Sequence, residues 1–212
     1  MRLPTLNDLW YTDPVHKHGD NLLPEYAHSF EAIAKYQTSH VEAHLSYFLM
    51  KGSNLIDWVK FDPTETVFTS HNIAELTNQG LEAGLALRLG EYLPFLGDAG
   101  RLSLDYLYMT QRHRAPGVAM SKYALNYLRH KFTAQLAHNV GSRIEALWAL
   151  RYQDRVNQAS PFATLDLKLD YRLTNHLRAG LELNNITDTQ YADITGVPQP
   201  GFWLSGSISY SL

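Results

Sequence analysis

Residues able to do chemistry are present in this chain, but few stand in catalytic company. Asp166, Lys168, Asp170 and Arg172 alternate along one stretch, so an extended chain puts all four on one face. Such a row could guide a polar solute along a wet wall. A row of neighbouring salt bridges is the plainer reading. There are ten histidines. His16 and His18 share a face if Val15–Gly19 is extended, but a His-x-His pair without carboxylate or cysteine company is a weak metal signal. An ordinary polar loop explains it better. His40 and His44 share a face of a second segment, and His130 falls on a face that is otherwise apolar. Asn184, Asn185 and Asp188 have the types that mimic backbone turns, and Pro198, Pro200 and Gly201 stiffen the approach to the last strand. No G-x-S-x-G, H-E-x-x-H or phosphate-binding loop occurs, and no carboxylate pair has a positioned partner, so no catalytic residue is assigned and the chain is not read as an enzyme.

Composition narrows the class. The 212 residues contain no cysteine, which leaves no disulfide frame and no thiolate chemistry. A net charge of −3 gives no case for a nucleic-acid partner. No run of about 18 apolar residues exists, so no spanning helix is expected. Hydrophobic content of 45% suits a soluble domain, but also a membrane barrel, whose polar and apolar residues interleave.

The elements that must position these residues are strands. Period-two alternation predicts nine: Glu25–Gln37, His40–Met50, Ile73–Leu89, Arg101–Gln111, Lys122–His138, Arg143–Gln153, Phe162–Leu173, Asn175–Asn185 and Phe202–Leu212. Between the apolar residues that mark each face, no Asp, Glu, Lys or Arg falls on that face. A lipid-facing Lys or Arg costs about 2–4 kcal/mol at the bilayer midplane, so charge-free faces are what a membrane would select. A soluble sandwich would also keep charge off its core face.

Connection lengths separate the two. Gln37–Ser39, Asn139–Ser142 and Thr174–Asn175 are tight turns. Gly52–Asn72, Arg112–Ser121, Asp154–Pro161 and Ile186–Pro200 read as long polar loops. Short and long alternate, apart from the medium Gly90–Gly100, as in a barrel with short periplasmic turns and long extracellular loops. With the tight turns periplasmic, Tyr36, Tyr171 and Tyr210 lie near the inner interface. Tyr26, Tyr47, Tyr108, Tyr123, Tyr127, Tyr152 and Phe202 lie near the outer one, giving two aromatic girdles. Residues Met1–Tyr11 read as the end of a tenth strand turning into a loop, and the N-terminus has no signal-peptide pattern. The expectation is an all-β, antiparallel up-and-down transmembrane barrel portion, about nine strands of a larger barrel.

Five motifs then occur in order. Arg2-Leu3-Pro4-Thr5-Leu6-Asn7-Asp8-Leu9-Trp10-Tyr11 resembles the R-x-P-T-x-x-(D/E)-L-(Y/W) signature of TonB-dependent outer-membrane receptors. Asn21-Leu22-Leu23-Pro24-Glu25 resembles their N-L-x-P-E segment. Asn78-Gln79-Gly80-Leu81-Glu82 resembles a G-x-E strand start. Leu183-Asn184-Asn185-Ile186-Thr187-Asp188-Thr189-Gln190-Tyr191 and Gly196-Val197-Pro198-Gln199-Pro200-Gly201-Phe202-Trp203 resemble the elements near the family's end. Phe202 stands where Arg is usual, and Leu212 where a terminal Phe is usual. The resemblance implies that residues 1–212 are the C-terminal part of a receptor barrel without its plug domain, located in a Gram-negative outer membrane. It implies surrounding lipid as a partner, TonB reached only through the plug, and uptake of a scarce metal chelate or cofactor of siderophore or cobalamin type. No resident cofactor or metal is implied. Trp58, Phe61, Arg112, His113, Arg114 and Tyr152 are the ligand-binding positions expected in extracellular loops. A soluble lipocalin-like barrel with Leu165, Leu167 and Leu169 packed in an enclosed centre is the alternative, or a small passive porin closed by a strand at residues 1–11.

Overall fold

The structure is a computed structural model that describes residues 1–156, 160–194 and 197–211. In chain order it holds helix α1 (Leu6–Trp10) and strands β1 (His16–Lys17), β2 (Tyr26–Gln37), β3 (Val41–Lys60), β4 (Phe68–Arg88), β5 (Arg101–Arg114), β6 (Met120–Ser121), β7 (Leu128–Val140), β8 (Ile144–Arg155), β9 (Phe162–Arg172), β10 (Leu177–Asn184), β11 (Ala192–Ile194), β12 (Val197–Pro198) and β13 (Trp203–Tyr210), with a short 3-10 turn at Pro94–Leu96. The nine long strands form one meander, in the order β13-β10-β9-β8-β7-β5-β4-β3-β2. Each of these neighbours is antiparallel to the next. The sheet is therefore the up-and-down all-β wall that the alternation predicts.

Register turns the alternation into continuous rows. Val41, Leu87, Leu102, Leu136, Trp148, Leu167, Leu183 and Leu204 follow one another across eight strands. Tyr36, Ala43, Leu85, Leu104, Ala134, Leu150 and Leu165 form a neighbouring row. The opposite face carries Lys35, His44, Gly84, Asp105, Thr133, Arg151 and Thr164 in register. A one-residue slip would carry every side chain to the other face, so the apolar rows hold the register in place.

The apolar face covers nothing. Phe30 is 59% exposed, Leu45 54%, Leu204 61% and Ile208 78%. Among the described residues the buried apolar side chains are Val59, Ile73, Leu76, Leu96, Ala146 and Phe162, far too few for the core of a soluble sandwich. Leu165, Leu167 and Leu169 lie half-buried on this open face, not in an enclosed centre. That removes the support for the lipocalin-like arrangement. An exposed apolar band of this extent marks a surface made for lipid or for another protein.

Four expectations need correction. Gly52–Asn72 is mostly strand, because β3 runs on to Lys60 and β4 begins at Phe68. Gly, Ser and Asn at 52–54 look like loop residues, but Asn54 takes a left-handed backbone (φ 56°) within the β3–β4 pairing. β5 continues through Arg114, so the loop expected from Arg112 starts after it. The strand expected from Lys122 begins at Leu128. Residues 1–11 contain helix α1 instead of a strand, so no strand there closes a porin-like barrel. Thr5 caps that helix by accepting from Asp8 N, while Asp8 Oδ2 accepts from Thr5 N, a reciprocal capping box. Gly196 and Leu212 lie outside the described residues.

The tight turns at 38–40, 141–143 and 173–176 share one end of the sheet with the 89–100 connection, and the longer connections share the other. At the long-loop end the hairpin of β3 and β4 outgrows its neighbours. Past Ser53, where β2 ends, β6 pairs with β3 through Val59 and Ser121. Past Glu75, where β5 ends, β1 pairs with β4 through Phe68 and His16. Two remote segments thus converge on the same hairpin tip.

Candidate functional site at the long-loop end

That convergence builds a cluster of rings and cations. Trp58 on β3 lies edge-on to His16 of β1, with ring centroids 5.0 Å apart, and to Tyr11 at 6.2 Å. Phe68 at the start of β4 stacks near His16 at 6.1 Å. Lys60 Nζ sits 4.6 Å from the Phe68 ring centre and Lys122 Nζ 5.8 Å, each within cation–π range. Lys122 Nζ also donates to His16 Nε2 at 2.8 Å. That donation requires a lone pair on Nε2, so the His16 proton sits on Nδ1 and points at the Asp13 carboxylate, 3.0 Å away. Asp13 also accepts from Val15 N at 2.8 Å and Tyr11 Oη at 2.9 Å. The hydrogen bond from His16 is the largest influence holding the Asp13 carboxyl down at about 2.

Two anchors hold the cluster. The loop that delivers Lys122 is tied to the buried Asp57 carboxylate, whose Oδ2 accepts from Ala124 N at 2.8 Å, Tyr123 N at 3.2 Å and the Ser121 hydroxyl. The segment that delivers His16 is tied by Ser70, which accepts from Gly19 N and donates to the Asp8 carbonyl, both at 2.7 Å. Further back, Arg2 holds Glu25 through two contacts and Glu25 Oε1 accepts from Ile56 N at 2.7 Å. The Arg2, Thr5, Asp8 and Glu25 positions of the two N-terminal motifs are therefore one structural brace against the hairpin.

The six expected ligand positions do not converge. Trp58 is in the cluster. Phe61 lies just beyond β3, its ring 5.1 Å from His71. Arg112, His113 and Arg114 stand on the exposed end of β5, and Tyr152 on β8, so all four are strand residues, not loop residues. Tyr152 lies in the apolar row with Phe132 and Ala163. No sequence signal groups Tyr11, Asp13, His16, Lys60, Phe68 and Lys122. The only local trace of them is the His16–His18 pair. His18 instead bonds the Thr12 hydroxyl, at 3.1 Å. Among the described residues no group of three or more His, Asp or Glu is placed to hold a metal ion.

Elsewhere the chemistry-bearing residues are locally paired. Lys168 lies 3.7 Å from Asp170 and 3.5 Å from Glu182, Asp166 accepts from Asn185 N at 2.6 Å, and Arg172 donates to the Ser142 carbonyl. The row is a set of neighbouring bonds. His130 shares the face of Tyr106 and Tyr108, stacked 5.0 Å from Tyr108 and bonded to Tyr106 Oη at 2.8 Å. Asn185 and Asp188 both take positive φ, and Asp188 accepts from Phe202 N at 2.8 Å, fastening the approach to β13.

Comparison with known proteins agrees with this wall. Residues 1–186 match the family described as TonB dependent receptor-like, beta-barrel. Among solved structures, the copper transporter OprC superposes with a TM-score of 0.71 at 15% identity, over 99% of this chain and 36% of that one. The FrpB iron transporter from Neisseria meningitidis gives 0.67 at 17% identity, over 92% and 32%. The ferric enterobactin receptor PfeA from Pseudomonas aeruginosa gives 0.65 at 19% identity, over 93% and 32%. The chain thus spans about a third of the length of these structures. No curated protein matches. With most of its length under the family match and its nine-stranded wall shared with these structures, the chain belongs to the TonB-dependent receptor-like β-barrel family.

Proposed function

We propose that residues 1–212 form the C-terminal barrel wall of an outer-membrane receptor for TonB-dependent uptake of a scarce metal chelate or cofactor, of siderophore or cobalamin type. The observation that carries this is the two-faced sheet, with apolar rows continuous across the strands on one side and, level with them, charged and polar residues such as Lys35, His44, Asp105 and Arg151 on the other. The apolar side meets outer-membrane hydrocarbon and the polar side lines the water-filled interior. Coupling to TonB would run through a plug domain.

The ligand end is the long-loop end. Of the expected contacts, Trp58 and Phe61 are the better placed. Arg112, Arg114 and Tyr152 share the outward alternation of their strands, and His113 lies opposite Leu76. Lys60 and Lys122, beside Tyr11, His16, Trp58 and Phe68, suit a large anionic ligand with flat groups. Ferric enterobactin and cyanocobalamin serve as probes. Titration of the membrane-inserted chain should show quenching of tryptophan fluorescence by one of them, weakened about tenfold by Lys122→Gln, since a charged hydrogen bond contributes about 1.5–3 kcal/mol. Recovery of the chain outside the outer-membrane fraction would overturn the proposal.

A further inference from the structure

The outward face does not end with its apolar rows. Directly above them on β2–β5 lies a row of different chemistry, in which His28, Lys51, Thr77 and Arg112 are register partners. One step higher come Tyr26, Ser53, Glu75 and Arg114. We propose that His28, Lys51, Arg112 and Arg114 form a docking band for the phosphate-bearing headgroups of the lipid leaflet around the barrel. The inference rests on the reading that the apolar face meets hydrocarbon.

Height, charge and vacancy support it. On β3 the outward positions run Val41, Ala43, Leu45, Tyr47 and Leu49 before Lys51. On β5 they run Leu102, Leu104, Tyr106, Tyr108 and Thr110 before Arg112. Both cations stand ten residues above the base of their row. At about 3.3 Å per residue and a tilt near 40°, ten residues climb roughly 25 Å, the height of a barrel's apolar band. Both cations therefore emerge at the hydrocarbon boundary, just above Tyr47 and Tyr108. All four basic side chains are exposed, and among the described residues none has a carboxylate in ion-pair range. Glu75, across from Arg114, is the one acid in these two rows, so the band stays net positive. Lys51 and Arg112 are two strands apart, roughly 10 Å, a spacing that two phosphates of one headgroup can bridge. On β7 and β8, where Asp154 shares the register row of His130 and Tyr108, Arg129 is neutralised by Asp154 at 2.6 Å.

The test uses the full chain in dodecyl maltoside micelles, with a bisphosphorylated glycolipid (lipid A), its dephosphorylated form, or inorganic phosphate. The readout is retained lipid by native mass spectrometry. The variant is Lys51→Gln/Arg112→Gln/Arg114→Gln, with Leu104→Cys as a reporter on the apolar face. Each cation near a charged membrane surface contributes about fivefold in affinity, so the variant should lose about tenfold or more for the bisphosphorylated lipid. The dephosphorylated form should be retained by neither protein. Equal retention by wild type and variant, with Leu104→Cys still shielded from a water-soluble maleimide, overturns the band alone. Saturation by inorganic phosphate at the same concentration as the lipid overturns the lipid assignment. A reactive Leu104→Cys overturns the membrane reading beneath both.

Discussion

Arg2 grips Glu25 in a two-pronged ion pair, Nε to Oε2 at 2.5 Å and Nη2 to Oε1 at 2.7 Å. The same arginine reaches Asp8 Oδ2 at 3.4 Å, and Asp8 closes the capping box with Thr5. Arg2 draws the Glu25 carboxyl below the usual glutamate range. Two motifs 23 positions apart in sequence are thus one brace. Glu25→Gln should loosen residues 1–20 by about 1 kcal/mol, the scale of a partly exposed bidentate pair. Hydrogen exchange should rise there and stay unchanged in β9 and β10. Unchanged exchange across residues 1–20 would show that the brace contributes nothing.

Acid should open the His16 contact within a defined window. The folded Asp13 carboxyl titrates near 2, below its ordinary 3.8. Its contribution is therefore complete above pH 3.8 and lost as pH falls through about 2. Pepsin cleavage between Tyr11 and Gly19 should increase across that interval in the wild type. In Asp13→Asn it should already be high at pH 4 and change little on further acidification.

Asp57 is the anchor on the other side of the cluster. Replacing it with Ala leaves Tyr123 N, Ala124 N and the Ser121 hydroxyl without their acceptor. Each orphaned donor costs about 1–3 kcal/mol where water cannot reach it. Asp57→Ala should free residues 120–126 by about 2–4 kcal/mol, seen as fast amide exchange at Tyr123 and Ala124. Chelate binding should weaken with it, because Lys122 rides on that loop.

Gly80 is required by close approach. A Cβ there would collide with the Tyr108 carbonyl oxygen and lie 2.6 Å from the Phe48 ring. Gly80→Ala should destabilise the β4–β5 pairing by about 1–3 kcal/mol. Adding Phe48→Ala should not restore it, because the clash with the β5 backbone remains. Thermal unfolding of the two variants distinguishes ring crowding from backbone crowding.

Locality decides how much of the molecule is legible in residue order alone. Alternation in Phe162–Arg172 or Val41–Leu49 is a property of neighbouring residues, so the strands, their apolar faces and the tight turns between them can be read directly. Thr5-x-x-Asp8 also carries a helix-start signal, but the five-residue helix is too short for any period to show. The extension of β3 beyond Gly52 is hidden because turn-type residues are held extended by their partners on β4. The site is hidden for a stronger reason. His16 and Lys122 are 106 positions apart, and their meeting depends on β1 and β6 filling places that β5 and β2 vacate. No local period encodes that crossing.

The absence of cysteine permits a direct test of which face meets lipid. Single cysteines at Leu104, Leu167 and Leu181 on the apolar rows, and at Ser103, Thr133 and Ser207 on the opposite rows, would be labelled with a water-soluble maleimide in the membrane-inserted chain. An apolar face set in hydrocarbon predicts shielding of the first three and rapid labelling of the second three. Rapid labelling at Leu104, Leu167 and Leu181 with protection at Ser103, Thr133 and Ser207 would contradict it.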